Sequence, residues 1–247
     1  VGSTLVRRLL EEGSEVRAID TWKEKNLPEK VDFLEGTVLN EELLLSATEG
    51  IRTIYHLQDI DSPIHVGRRY MKKLNVKGTE NVLKAAKENS VEKIIFLSSA
   101  EVYGNRKTML IKENDPCKPV TPYGKDKLKA EKLCLKEIES GFDITIFRPT
   151  IVAGARIDDP LILVILYMAM AMGDANRLYI AGDGDTRFQL VHPNDVVSAM
   201  LASQKNGQSR GRIYNLGSDD VPTQMEQIVK VKELAKLDCQ IKHLSAS

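Results

Sequence analysis

The chain has 247 residues, 42% of them hydrophobic and 28% charged, with 35 basic side chains balanced by 35 acidic ones. This excludes a disordered, collagen-like or disulfide-scaffold chain, and zero net charge exerts no bulk pull on nucleic acid or an anionic membrane. A small-molecule partner is therefore the starting expectation, with no nucleic acid and no membrane.

Short runs rich in Val, Ile, Leu and Phe alternate with helical patterns, the rhythm of a parallel sheet with crossover helices. Ser3 to Glu12 reads as a helix through Leu5, Val6, Leu9 and Leu10, stopped by Gly13. Strands are expected at Glu15 to Asp20, Val31 to Gly36 and Thr53 to Gln58. Val66 to Asn89 is a helix with Gly67, Met71, Leu74, Gly78, Val82 and Ala85 on one face, narrow enough to pack closely on a sheet. A strand at Lys93 to Ser99 follows, then a helix from Thr121 to Ser140, opened by Pro122 and closed by Gly141, then a strand at Asp143 to Pro149.

Past Gly154 the rhythm loosens. An apolar helix is expected from Pro160 to Met172, its run from Leu161 being short of the roughly 20 residues of a membrane span. Met168, Met170, Met172 and Tyr167 within it read as core packing rather than metal ligands. Strand-like pieces follow at Arg177 to Ala181, Phe188 to His192 and Arg212 to Leu216.

The fold class expected is α/β, a doubly wound parallel sheet of Rossmann type with a smaller C-terminal substrate lobe. Residues 1–155 would form the dinucleotide-binding domain and 156–247 the lobe, interleaved with late elements of the first. Such a sheet places its first strand in the middle, and none precedes Ser3, so that strand reads as missing. The far end reads as cut at Ser245-Ala246-Ser247, just after a helix. Cys117, Cys134 and Cys239 are odd in number and form no CxxC pair, so neither a disulfide framework nor a zinc site is expected, and the setting reads as reducing and cytoplasmic.

Chemistry concentrates in the middle of the chain. Tyr123 and Lys127 stand at i and i+4, on one face of a helix. An ammonium beside a phenol favours the phenolate and lowers its pKa, which would make Tyr123 a usable proton acceptor. Alone, such a pair is most simply solvated. Here the upstream strand ends in Ser98-Ser99-Ala100-Glu101, which places hydroxyls at a carboxyl edge where open α/β sheets bind ligands, and Phe147-Arg148-Pro149 ends another strand at that edge. Gly2 before a helix and Asp20 ending the next strand match the back half of a dinucleotide-binding turn.

With these residues in view, the chain resembles the extended short-chain dehydrogenase/reductase family, the NAD-dependent epimerase/dehydratase group, which includes UDP-galactose 4-epimerase-like enzymes. The resemblance rests on Gly2, Asp20, His56-Leu57, the Asn75-Val76-Lys77-Gly78-Thr79 run, Ser99, Tyr123, Lys127, Arg148-Pro149 and the stretch from Arg187 to Asp195. It implies an NAD-dependent sugar-nucleotide epimerase-type oxidoreductase in which Tyr123 takes a proton from a sugar hydroxyl while hydride leaves for NAD, assisted by Lys127 and Ser99. It implies cofactor contacts at Gly2, Asp20, His56, Leu57, Asn75, Ser98, Tyr123, Lys127 and Pro149. Ser99, Glu101, Tyr123 and Arg187 would face a nucleotide-sugar substrate, no metal is involved, and a homodimer would form through the helices at 66–89 and 121–140. Asp20 implies NAD rather than NADP, because a carboxylate there repels a 2′-phosphate.

Four departures keep other readings open. Gly36-Thr37 stands where the family has Gly-Asp, and Gln58-Asp59 where it has two small residues, an anionic Asp59 close to the expected pyrophosphate being unfavourable unless it turns to solvent. No asparagine follows Arg148-Pro149, which leaves a dehydrogenase or reductase of an apolar alcohol or ketone as an alternative. Glu101 has Ala100 beside it rather than the aspartate of a 4,6-dehydratase pair. A non-catalytic fragment or binding relative is the alternative from another class. Trp22 reads as a shield for an adenine edge or as cover for the sheet.

Overall fold

The computed structural model describes residues 1–64, 66–106, 110–154, 177–234, 236 and 238–244. The expected helix from Pro160 to Met172, with its methionines and Tyr167, lies outside the described residues. The chain divides into two compact units, one of residues 1–150 and 194–216 and the other of 151–193 and 217–247.

The first unit is a parallel α/β structure. Helix α1 (Gly2–Glu11) leads to strand β1 (Arg17–Asp20), paired with β2 (Asp32–Glu35). Strands β3 (Thr53–His56), β4 (Lys93–Leu97), β5 (Asp143–Pro149) and β9 (Ile213–Leu216) form a second all-parallel set in that order. Among the described residues no ladder joins the two sets. Helices α4 (Gly78–Glu88) and α5 (Pro122–Glu139) cover one face. Leu83, Ala86, Ala130 and Cys134 of these helices meet Ile94, Phe96, Ile144 and Ile146 in one buried cluster. Side chains one residue out of phase point to the opposite face, as strand alternation requires. Tyr55 there donates to Gln204 of helix α6 (Pro193–Lys205), and Lys93 and Thr145 both bond Ser209. Helices on both faces make this the doubly wound architecture expected.

The helix expected over 66–89 begins at Arg68. A short α3 (Arg68–Lys72) passes into one π turn (Lys73–Lys77) before α4, and that turn carries Asn75. Gly67 is not on the packing face but caps the helix with a φ of 78°. Gly78 is required for close approach, since a Cβ there would collide with the Val38 side chain.

Two helices of this unit escaped the reading. Helix α2 (Glu41–Thr48) is capped by Asn40, which accepts from the Leu43 amide at 3.1 Å, and α6 opens on Pro193 with Asp195 in its first turn. Both carried capping signals in sequence.

In the second unit β6 (Ile151–Val152) pairs with β8 (Leu190–Val191), and β7 (Arg177–Ala181) with β10 (Gln240–Leu244), all parallel. Helix α7 (Gln224–Leu234) precedes β10. The last described element is thus a strand, not the helix expected at the far end. Alternation in Gln240–Leu244 was too short to separate from its polar surroundings without the β7 partner. The three cysteines are free thiols. No helix of the described residues is long and apolar enough to cross a membrane.

Candidate active site

Helix α5 begins where Thr121, in extended backbone, accepts a hydrogen bond from the Gly124 amide at 2.9 Å, with Pro122 in the first turn. The spacing of Tyr123, Lys127 and Glu131 at i, i+4 and i+8 puts all three on the face turned to the sheet. Lys127 is 2% exposed, with its ammonium 4.8 Å from the centre of the Phe96 ring and 5.8 Å from that of Tyr123. The expected pair does share a face.

What lies between them was not expected. Asp59, in the loop after β3, accepts from the Tyr123 hydroxyl at 2.6 Å and from the Lys127 ammonium at 2.8 Å, both at the same oxygen, Oδ2. Asp59 does not turn to solvent. Its loop is anchored on both sides: Gln58 accepts from the Val38 amide at 2.8 Å, and the Asn75 side chain bonds both the amide and the carbonyl of Ile60, at 2.8 and 2.7 Å.

The consequence for Tyr123 reverses the expected pKa shift. Burial pushes the phenol well above its ordinary value, and the negative charges of Asp59, Asp61 and Glu101 push it the same way. The Lys127 cation is spent on Asp59 rather than on a phenolate. His56 is buried beside Phe96, bonds Thr79 at 2.9 Å, and is driven down to about 3 by burial and by the Lys127 charge, so it is neutral.

The strand-end turn after β4 packs directly on the start of α5. Ser99 caps a short 3₁₀ turn, Ala100–Tyr103, by accepting from the Glu101 amide at 3.1 Å, and Glu101 accepts from the Thr121 hydroxyl. A Cβ on Gly124 would stand 2.6 Å from the Glu101 carbonyl oxygen. Glycine at 124 is what lets the Ser99 turn and Tyr123 approach. Ser98 is 2% exposed and its hydroxyl has no partner among the described residues.

Other sequence candidates fall as follows. Gly2 opens α1 with Leu57 as the nearest side chain, so helix N-terminus and strand-end loop adjoin. Asp20 is an exposed carboxylate ending β1, accepting from the Thr21 amide at 2.7 Å. Trp22 is 68% exposed, while Lys23 lies over the Phe33 ring. Pro149 is buried at the end of β5. Asn75 is fully engaged with Ile60, so it acts on the site through the loop. Arg187 belongs to the second unit, where it donates to the Val221 carbonyl at 2.6 Å.

Beneath the site, Arg148 makes a two-pronged ion pair with Glu131 at 2.9 and 2.7 Å, and donates to the Tyr103 hydroxyl at 2.7 Å and the Glu113 carbonyl at 3.0 Å. Tyr103 in turn donates to Asn215 at 2.7 Å. This network went unread, although Glu131 sits one turn beyond Lys127. Among the described residues no cluster suited to a metal ion occurs.

A dinucleotide is the cofactor this arrangement fits. The N-terminus of α1 is free of a Cβ at Gly2, Asp20 offers a carboxylate to ribose hydroxyls, and the buried Ser98 hydroxyl lacks a partner among the described residues.

The profile of the NAD dependent epimerase/dehydratase family matches residues 1–217. The chain belongs to that family. A UDP-glucose 4-epimerase of Halalkalibacterium halodurans is 30% identical over 250 residues, covering 88% of this chain and 72% of the relative. An uncharacterized protein of Sinorhizobium fredii, y4nG, is 25% identical over 244 residues, and the match spans 98% of this chain but only 60% of that protein's length. Among solved structures, MoeE5 in complex with UDP-glucuronic acid and NAD superposes with a TM-score of 0.85 at 25% identity, over 99% of this chain and 82% of MoeE5.

Proposed function

We propose that this member of the NAD dependent epimerase/dehydratase family is an NAD-dependent oxidoreductase of the sugar-nucleotide 4-epimerase type. The observation that carries the reading is the convergence of Tyr123 and Lys127 on one face of α5, with the Ser99 turn held against them by Gly124. The epimerase relative and the nucleotide sugar bound by MoeE5 support the substrate class.

In this reading Tyr123 accepts the proton of a secondary hydroxyl, Lys127 bonds the nicotinamide ribose, and Ser99 donates to the oxygen at which charge develops. Gly2 with the α1 N-terminus, Asp20, His56-Leu57, Ser98 and Pro149 would line the cofactor, and Asn75 would hold the loop beside it. Bound NAD supplies the hydride acceptor. Glu101 and Arg187 are proposed on the substrate side, Arg187 as a two-pronged donor to phosphate. A homodimer through 66–89 and 121–140 belongs to the same proposal, and light scattering at the monomer mass would remove it.

The test is incubation with NAD and UDP-galactose. UDP-glucose should form, and Tyr123→Phe should abolish its formation while leaving NAD affinity in place. Steady NADH release from another alcohol without UDP-glucose overturns the epimerase reading.

A further inference from the structure

The family reading treats the tyrosine and lysine as a pair, yet here a third side chain stands between them. Asp59 Oδ2 is the shared acceptor for the Tyr123 hydroxyl and the Lys127 ammonium, at 2.6 and 2.8 Å. The Asp59 side chain is 27% exposed and that of Lys127 3%, so the contact is largely shielded from water. Nor is it a loose side chain swung in by chance. Asn75 holds Ile60 at both its amide and carbonyl, and Gln58 is fixed to the Val38 amide, so the residues flanking Asp59 are tied to two different segments, the π turn before α4 and the turn before α2.

We propose that Asp59 is a positioning residue of the proton-transfer site: its carboxylate keeps the proton on Tyr123 and tethers Lys127 until a hydroxyl-bearing ligand displaces it. The inference rests on the reading of Tyr123 as the proton-accepting group. With Asp59 seated, ionising Tyr123 would break its O–H bond, send the proton to water and leave a phenolate against a carboxylate. Lys127 cannot serve both anions fully, because one ammonium neutralises one charge. The groups facing this pair do not compensate. From the end of β3, His56 is neutral; from the same loop Asp61, and from the turn after β4 Glu101, add negative charge. On α5, Lys127 is the cation at the pair. A ribose hydroxyl taking the place of Asp59 on Lys127 would remove the anion and leave the ammonium to the phenol. Occupancy of the site and readiness of the base are thereby linked.

The experiment is a pH titration of tyrosinate absorbance on the complete 247-residue chain and on its Asp59→Asn and Asp59→Ala variants. The chain has seven tyrosines, so the Tyr123 contribution is taken by subtracting the matching Tyr123→Phe spectrum on each background. The expected result is a Tyr123 midpoint lower by about one pH unit or more in both variants, a tenfold or greater rise in its ionisation constant. An unchanged midpoint in folded variants overturns the proposal. If the alanine variant loses its far-ultraviolet dichroism, the asparagine variant, which keeps the shape, decides. Loss of the fold in both overturns the proposal in favour of a purely structural Asp59. Failure of the catalytic reading looks different: Tyr123→Phe would then keep its turnover, whatever the titration gives.

Discussion

The Cα of Gly124 faces the carbonyl oxygen of Glu101 so closely that a methyl group built on it would stand 2.6 Å away, with the Glu101 carbonyl carbon at 3.0 Å and Pro119 Cβ at 3.1 Å. Backbone cannot retreat as a flexible side chain can, so this contact fixes the distance between the first turn of α5 and the turn capped by Ser99. Gly124→Ala should therefore cost about 1–3 kcal/mol through overpacking, despite alanine's better helix propensity. Urea unfolding measures the loss. Turnover should fall further than stability explains, because Tyr123 and Ser99 are pushed apart.

Ser99 has two duties, which a single substitution separates. Ser99→Ala removes the cap on the Ala100–Tyr103 turn, worth about 1 kcal/mol. It also removes the hydroxyl proposed to meet the reacting oxygen, and a lost donor of that kind lowers kcat by roughly 10²-fold or more. Kinetics and unfolding measured on the same variant check both figures, and a purely structural Ser99 would show the first without the second.

Arg148 and Glu131 are both buried, the glutamate completely. Burial pushes the guanidinium's proton affinity down, but the Glu131 carboxylate and the Tyr103 oxygen hold it charged. Glu131→Ala strands that cation and should cost about 3–5 kcal/mol of unfolding free energy. Replacing both partners, as Arg148→Met with Glu131→Leu, should recover a large part of the loss, and a double-mutant cycle in urea reads the coupling.

His56 supplies a pH dependence whose sign is fixed by its surroundings. In the folded chain its pKa falls from 6.5 to about 3, so between those values the unfolded chain carries a proton that the folded chain does not. Stability is therefore lost as pH falls from about 6.5 toward 3, at up to about 1.4 kcal/mol per pH unit for one proton. Comparing the native chain with His56→Gln between pH 6 and pH 5 isolates this residue, because groups common to both chains cancel in the difference. The variant should show the shallower slope.

Much of the scaffold was legible because it is written in local periodicity. Alternating apolar runs located β1 to β5 to within a residue or two, and the helical spacing of Leu5 and Leu9, and of Met71, Leu74, Val82 and Ala85, marked faces that are buried in fact. The Tyr123 and Lys127 spacing was equally local. Helices α2 and α6 were missed although Asn40 and Pro193 announce them, since neither has a strong apolar stripe to draw notice. Strand β10 depended on a partner more than fifty residues away.

The sequence by itself determined which side chains share a helix face and which stand at strand ends, because both follow from repeat distances of 3.6 and 2 residues along one segment. Tertiary structure alone decided what those side chains meet. Asp59 is 64 residues from Tyr123 and 68 from Lys127, and no local pattern encodes that its carboxylate enters the gap between them. Adjacency of β3 and β4, the anchoring of the loop by Asn75, and the closeness of α5 to the Glu101 turn bring it there. Each is a contact between distant segments, and the proton affinity of the phenol follows from their sum.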